Sequence, residues 1–142
     1  AAIDEWSGHR GCGVQYFSQQ AVARHAKNLG LDYGAMPFPE QLIEVQKLMK
    51  LGDSKVAKIF SDIGSDLGHA IKHYSRFYEI DNLLILGRVT SGEGGQVILD
   101  NATATMASHY PELHERITFV TPDESMKRHG QAIAAASLPR VG

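Results

Sequence analysis

The order of apolar segments predicts an α/β domain: a small, mostly parallel sheet with crossover helices and one long helix. Three observations carry this. From Asp53 onward, Val56, Ile59, Phe60, Ile63, Leu67, Ala70, Ile71, Tyr74, Phe77 and Tyr78 recur at steps of three and four, which defines one face of a helix about seven turns long. Next, Leu83-Leu84-Ile85-Leu86 is a continuous apolar run ended by Gly87, as expected of a strand buried on both faces. Finally, strand-like and helix-like segments alternate from there to the end of the sequence, which implies parallel strands joined by crossover helices.

The elements follow in order. Gly8-His9-Arg10-Gly11-Cys12-Gly13 reads as a loop, with three glycines in six residues. Ser18 is an N-cap candidate for a helix over residues 21–29, which Gly30 stops. Gly34, Pro37 and Pro39 make residues 32–39 a connector, and Pro39 suits the first turn of a helix reaching Leu51. Its stripe is Leu42, Ile43, Val45, Leu48, Met49 and Leu51, and Gly52 ends it. Asp53 caps the long helix. After the strand and a glycine-rich segment over residues 87–95, a helix fits residues 96–109 through Val97, Ile98, Ala102 and Met106. Ile117-Thr118-Phe119-Val120 is the second strand, and Asp123 caps a last helix running through Gly130 to Ser137.

The composition narrows the function classes. The chain of 142 residues is 43% hydrophobic and 21% charged, enough apolar material for a single domain with a real core. Fourteen basic against sixteen acidic side chains, a net charge of −2, give no footing for a phosphate-backbone binder. The one cysteine makes no internal disulfide and no four-cysteine zinc site, which favours a reducing, cytoplasmic setting. No apolar run approaches the ~20 residues that span a bilayer, so no membrane partner is expected. The opening on Ala1 without an initiator Met reads as a processed chain or the latter part of a longer protein.

Three places have chemical potential. The segment from Gly87 to Gly95 follows a strand and precedes a helix, where glycines let a ligand approach the backbone and helix amides favour an anion. Glu93 stands where a P-loop needs Lys, and the G-x-G-x-x-G pattern is not met. A glycine-rich turn with no ligand fits the same residues. His69 and His73 lie four apart on the long helix, a metal-compatible spacing, but no Glu or Cys nearby completes the set and a solvated face is the simpler reading. Gly64 and Gly68 sit one turn apart inside that helix at about 1 kcal/mol each relative to Ala. Close approach of another backbone or of a ligand ring compensates, and helix packing is the plainer of the two.

Gly8-His9-Arg10-Gly11-Cys12-Gly13-Val14-Gln15-Tyr16-Phe17-Ser18, the stretch from His73 to Gly92 (HYSRFYEIDNLLILGRVTSG), and the closing RHGQAIAAASL together resemble the C-terminal half of the ROK family. These are sugar kinases and sugar-responsive repressors of the actin-like ATPase superfamily. The segments come in the family's order over nearly the whole chain. The resemblance implies one lobe of an actin-like ATPase (ribonuclease H-like) fold, residues 1–142 being a single C-terminal lobe of a larger protein. It implies ATP with Mg²⁺ as cofactor of the full-length protein. Gly87, Arg88, Thr90, Ser91 and Gly92 would form the adenosine loop, and Gly130-Gln131-Ala132 would open the family's last helix.

The departures are specific. The family's zinc loop, C-x-C-G-x-x-G-C-x-E, matches Glu5-Trp6-Ser7-Gly8-His9-Arg10-Gly11-Cys12-Gly13-Val14. Only its last cysteine survives, as Cys12, so zinc is not expected there. The sugar-contacting Glu falls on Val14, which accepts no hydroxyl hydrogen bond. The D-x-G-x-T phosphate loop and the catalytic Asp belong to the family's N-terminal half, so no catalytic residue is assigned and this chain alone is expected to be inactive. Two readings follow: the nucleotide-side domain of a ROK-like sugar kinase, or a catalytically degenerate regulator, ligand sensor or dimerisation domain. The expected partners are a nucleotide, a sugar in the kinase reading, nucleic acid only through an N-terminal region, and a second copy of the chain if the long helix exposes a surface.

Overall fold

The structure is a computed structural model and describes residues 2–4 and 7–121. The helix expected from Asp123, and with it Gly130-Gln131-Ala132, lies outside the described residues. The described residues form six α-helices and two short strands: α1 (Val14–Phe17), α2 (Gln19–Asn28), α3 (Phe38–Lys50), α4 (Ser54–Tyr74), β1 (Asn82–Leu84), α5 (Gly92–His109), α6 (Pro111–Arg116) and β2 (Thr118–Val120), with a 3₁₀ turn over Arg88–Thr90. The architecture is helix-rich with a small parallel sheet: β1 pairs with β2 in parallel, Leu83 opposite Phe119, and α5 and α6 form the crossover between them.

Local chemistry sets the helix ends. Ser18 Oγ accepts the Gln20 amide at 3.1 Å to start α2, and Asp53 Oδ1 accepts the Lys55 and Val56 amides at 2.9 and 3.2 Å to start α4. Each such cap satisfies helix amides that lack an intrahelical acceptor. Pro39 lies in the first turn of α3, where its missing amide proton is not needed.

Two connected clusters make the core. The larger joins Ala21, Val22 and Ala26 of α2, Leu42 and Val45 of α3, Val56, Ile59, Phe60 and Ile63 of α4, and Val89 and Ile98 around the start of α5. The smaller joins Ile71, Met106 and Ile117 beneath Leu83 and Phe119 of the sheet. Along the axis of the fold, α4 lies directly on α5. An added Cβ at Gly64 would stand 2.4 Å from the Ile98 carbonyl oxygen, and one at Gly68 would stand 2.8 Å from Thr105 Cβ. The glycine pair inside α4 therefore serves close helix packing, which offsets its helix-propensity cost.

The structure corrects four expectations. The long helix stops at Tyr74, one turn short: Phe77 and Tyr78 are 79% and 67% exposed, so the aromatic end of the stripe runs past the core. The first strand is shorter and shifted, over Asn82–Leu84, and it is not buried on both faces, since Leu84 is 56% exposed. The helix expected from residue 96 begins at Gly92, so Gly94 and Gly95 are helical rather than loop. They pack tightly: an added Cβ would meet Phe60 Cε1 at 2.6 Å from Gly94 and the Thr90 carbonyl oxygen at 2.1 Å from Gly95. The short helices α1 and α6 were not expected at all.

Candidate functional site

The turn at the carboxyl end of β1 is built by its backbone. Gly87 has φ 120° and ψ 160°, a region essentially closed to side-chain-bearing residues, and it turns the chain out of the strand. One 3₁₀ turn, Arg88–Thr90, follows, and Gly92, at φ 67°, starts α5. The five residues singled out from sequence, Gly87, Arg88, Thr90, Ser91 and Gly92, are thus one continuous turn, but they differ in role. Thr90 is buried, and its hydroxyl donates to the Gly87 carbonyl at 2.8 Å, so it holds the turn together from within. The Ser91 carbonyl accepts a hydrogen bond from Gln46 Nε2 at 3.1 Å, which ties the turn to α3. Arg88 is exposed, and the backbone at Gly87 and Gly92 faces open space, with nothing within 4 Å of an added Cβ.

Electrostatics at the head of α5 are mixed. Ser91 makes no side-chain cap, leaving the first-turn amides to another acceptor. Glu93 in that same turn opposes a fully charged phosphate while doing nothing against a neutral nucleoside. An open cavity of about 500 Å³ lies elsewhere, at the other end of β1, against Tyr74, Tyr78, Ile80 and Leu83.

In the segment matched to the zinc loop, hydrogen bonds join the described residues to one another. Ile3 bridges Arg10 in antiparallel fashion, the Asp4 amide donates to the His9 carbonyl at 2.9 Å, and the Asp4 carboxylate accepts from the Ser7 amide and hydroxyl at 2.8 and 2.7 Å. Cys12 is half-buried, with Sγ 3.7 Å from Ser7 Oγ. Val14 opens α1 and is half-buried.

Histidines meet where sequence spacing gave no hint. His69, exposed on α4, faces His109 from the last turn of α5, with ring centroids 5.3 Å apart. Its Nδ1 is hydrogen-bonded to Tyr110 Oη at 2.9 Å. The spacing 69/73 is visible in the sequence, whereas His109 arrives only through the α4–α5 crossing. A further histidine, His25 on α2, has its pKa lowered from 6.5 by burial and by the neighbouring Arg24 guanidinium, with Asp62 and Asp66 opposing.

Among the described residues no group of three or more His, Cys, Asp or Glu is placed to hold a metal ion, and no helix is long and apolar enough to cross a membrane. Comparison with protein-family models, curated proteins and solved structures gave no match.

Proposed function

We propose that this chain is the nucleotide-side lobe of a ROK-like sugar kinase, and that the turn from Gly87 to Gly92 receives the adenosine part of ATP. The observation that carries the reading is the turn itself: a parallel strand leading into glycine-shaped backbone that faces open space, immediately ahead of α5. In open α/β sheets ligands bind at this end of the strands. Glu93 favours the nucleoside over the phosphates as the group held here, and the phosphates with Mg²⁺ would be met by the D-x-G-x-T loop and catalytic Asp of an N-terminal lobe. Exposed Arg88 supplies a planar cation able to stack on a purine. The chain alone transfers no phosphoryl group, because phosphate positioning and the base are contributed from elsewhere.

A second reading, a regulator that has lost catalysis, is favoured by two positions. Val14 replaces the hydroxyl-binding carboxylate of the family pattern, and the loop around Cys12 is closed by Asp4 in place of three thiolates.

Calorimetric titration with ATP, ADP and adenosine tests the nucleotide site. The expected result is binding at about 1 mM or tighter, which corresponds to roughly −4 kcal/mol, with ADP and adenosine comparable. Arg88→Ala should weaken it by about threefold, the scale of an exposed cation–π contact. Absence of heat at millimolar nucleotide removes the reading. In the two-lobed protein this reading proposes, D-x-G-x-T and an Asp base in the N-terminal lobe would mark the kinase, a helix-turn-helix the regulator.

A further inference from the structure

We infer that His69 and His109 form a two-imidazole site for a late first-row divalent cation, Zn²⁺ or Ni²⁺, that clips the C-terminal end of α4 to that of α5. The argument starts from the spacing of the rings. With Zn–N bonds of about 2.0–2.1 Å and a near-tetrahedral angle, two ligating imidazoles put their ring centres about 5 Å apart. The His69 and His109 centroids are 5.3 Å apart with ring planes at 48°.

The second point is tautomeric. A metal on Nε2 of neutral His69 requires the proton on Nδ1, and ligating histidines commonly direct that second N–H to a fixed acceptor. Tyr110 Oη lies 2.9 Å from His69 Nδ1, and the Tyr110 ring stands edge-on to the imidazole at 84°. The contact orients the His69 ring before any metal arrives, and in the tautomer that donates from Nδ1 to Tyr110 its Nε2 is the metal-binding atom.

Third, both histidines are exposed and sit on regular helices. Water completes the coordination sphere, since the described residues offer no third ligand. Lys72 holds its ammonium 5.8 Å from the Tyr110 ring centroid, a like charge that limits affinity. The site is therefore exchangeable, and metal is lost during ordinary purification. This differs from the cysteine loop, for which no zinc is expected, and it is independent of the nucleotide reading.

Thermal denaturation of tag-free protein at pH 7.5, with and without Zn²⁺ or Ni²⁺ and with Mg²⁺ as the oxygen-preferring control, tests it. At a hundredfold excess over Kd the melting temperature should rise by roughly 5–10 °C, while Mg²⁺ leaves it unchanged. His69→Ala and His109→Ala should each abolish the rise, and His73→Ala should retain it. All three substitutions are at exposed positions, so the metal-free proteins should melt as the parent does. Paramagnetic broadening by Ni²⁺ should fall on the His69 and His109 ring signals together. No rise in the parent protein overturns the inference. So does a rise that survives His109→Ala but is lost in His73→Ala, since the i,i+4 pair of α4 is then the chelator.

Discussion

The crowded glycines of α4 and of the start of α5 and the open glycines of the turn beside them are the same residue put to opposite uses. Gly64, Gly68, Gly94 and Gly95 have helical backbone and no room: an added Cβ at any of them would meet a neighbour at 2.9 Å or less. Gly87 and Gly92 have ample room and backbone dihedrals that L side chains avoid, with φ of 120° and 67°. The first set is glycine because another chain segment occupies the space of the side chain. The second is glycine because the chain must change direction. Only the second leaves backbone open to a ligand, so the glycine-rich look of residues 87–95 overstates any binding turn, which ends at Gly92, by three residues.

Alanine substitution separates the two sets, and the largest effects should come from the crowded one. Gly95→Ala drives a methyl to 2.1 Å from the Thr90 carbonyl oxygen, and Gly64→Ala to 2.4 Å from that of Ile98. Both obstacles are backbone, which side-chain rotation cannot relieve. Each substitution should destabilise the protein by about 3 kcal/mol, at the upper end of overpacking costs, even after the ~1 kcal/mol helical gain of Ala over Gly. Denaturant midpoints at unchanged slope would measure this. A stabilised Gly64→Ala protein would mean that α4 and α5 do not lie this close.

Gly87→Ala should act more weakly and for another reason. Nothing obstructs the methyl, but φ 120° with ψ 160° becomes strained, at about 1–3 kcal/mol. The turn can relax by moving its peptide planes, so nucleotide binding should suffer more than stability does. Equal loss of stability in Gly87→Ala and Gly95→Ala would erase the distinction between a shaped turn and a packed seam.

The same physical split explains what was legible in the sequence. Elements whose signal is local were read well: Ser18 and Asp53 as caps, Pro39 at the head of α3, and the stripe of α4 from Val56 to Ile71. Close packing at Gly64 and Gly68 was also legible, because two glycines inside a strong helical stripe demand compensation. Misreadings arose where a partner distant in sequence decides. Gly94 looks like loop until Phe60 is placed against it, and Phe77 and Tyr78 look like core although they are 79% and 67% exposed. Leu84 looks buried because parallel strands usually are, but in the sheet formed by the described residues Leu84 and Val120 are 56% and 41% exposed. In the candidate turn, the five residues named from sequence lie on one continuous stretch of backbone, but sequence could not tell exposed Arg88 from buried Thr90. The pairing of His69 with His109 is a product of helix crossing alone.

The smallest effect should come from Gly92, and it sharpens the contrast within the turn itself. Its φ of 67° lies in the left-handed helical region, which Asn visits at modest cost because its short polar side chain hydrogen-bonds locally. Gly87, by contrast, lies where Asn is as strained as Ala. Gly92→Asn should therefore destabilise by less than about 1 kcal/mol, and Gly92→Ala by about 1–2 kcal/mol, the usual left-handed penalty. At position 87 the Asn and Ala variants should be indistinguishable. Four midpoints measured side by side decide it. An Asn preference at both positions would place Gly87 in the ordinary left-handed region and make the two glycines one kind of turn residue. A preference confined to 92 would show that the chain leaves β1 through a conformation only glycine supplies, which is the feature that keeps this backbone open at the end of the strand.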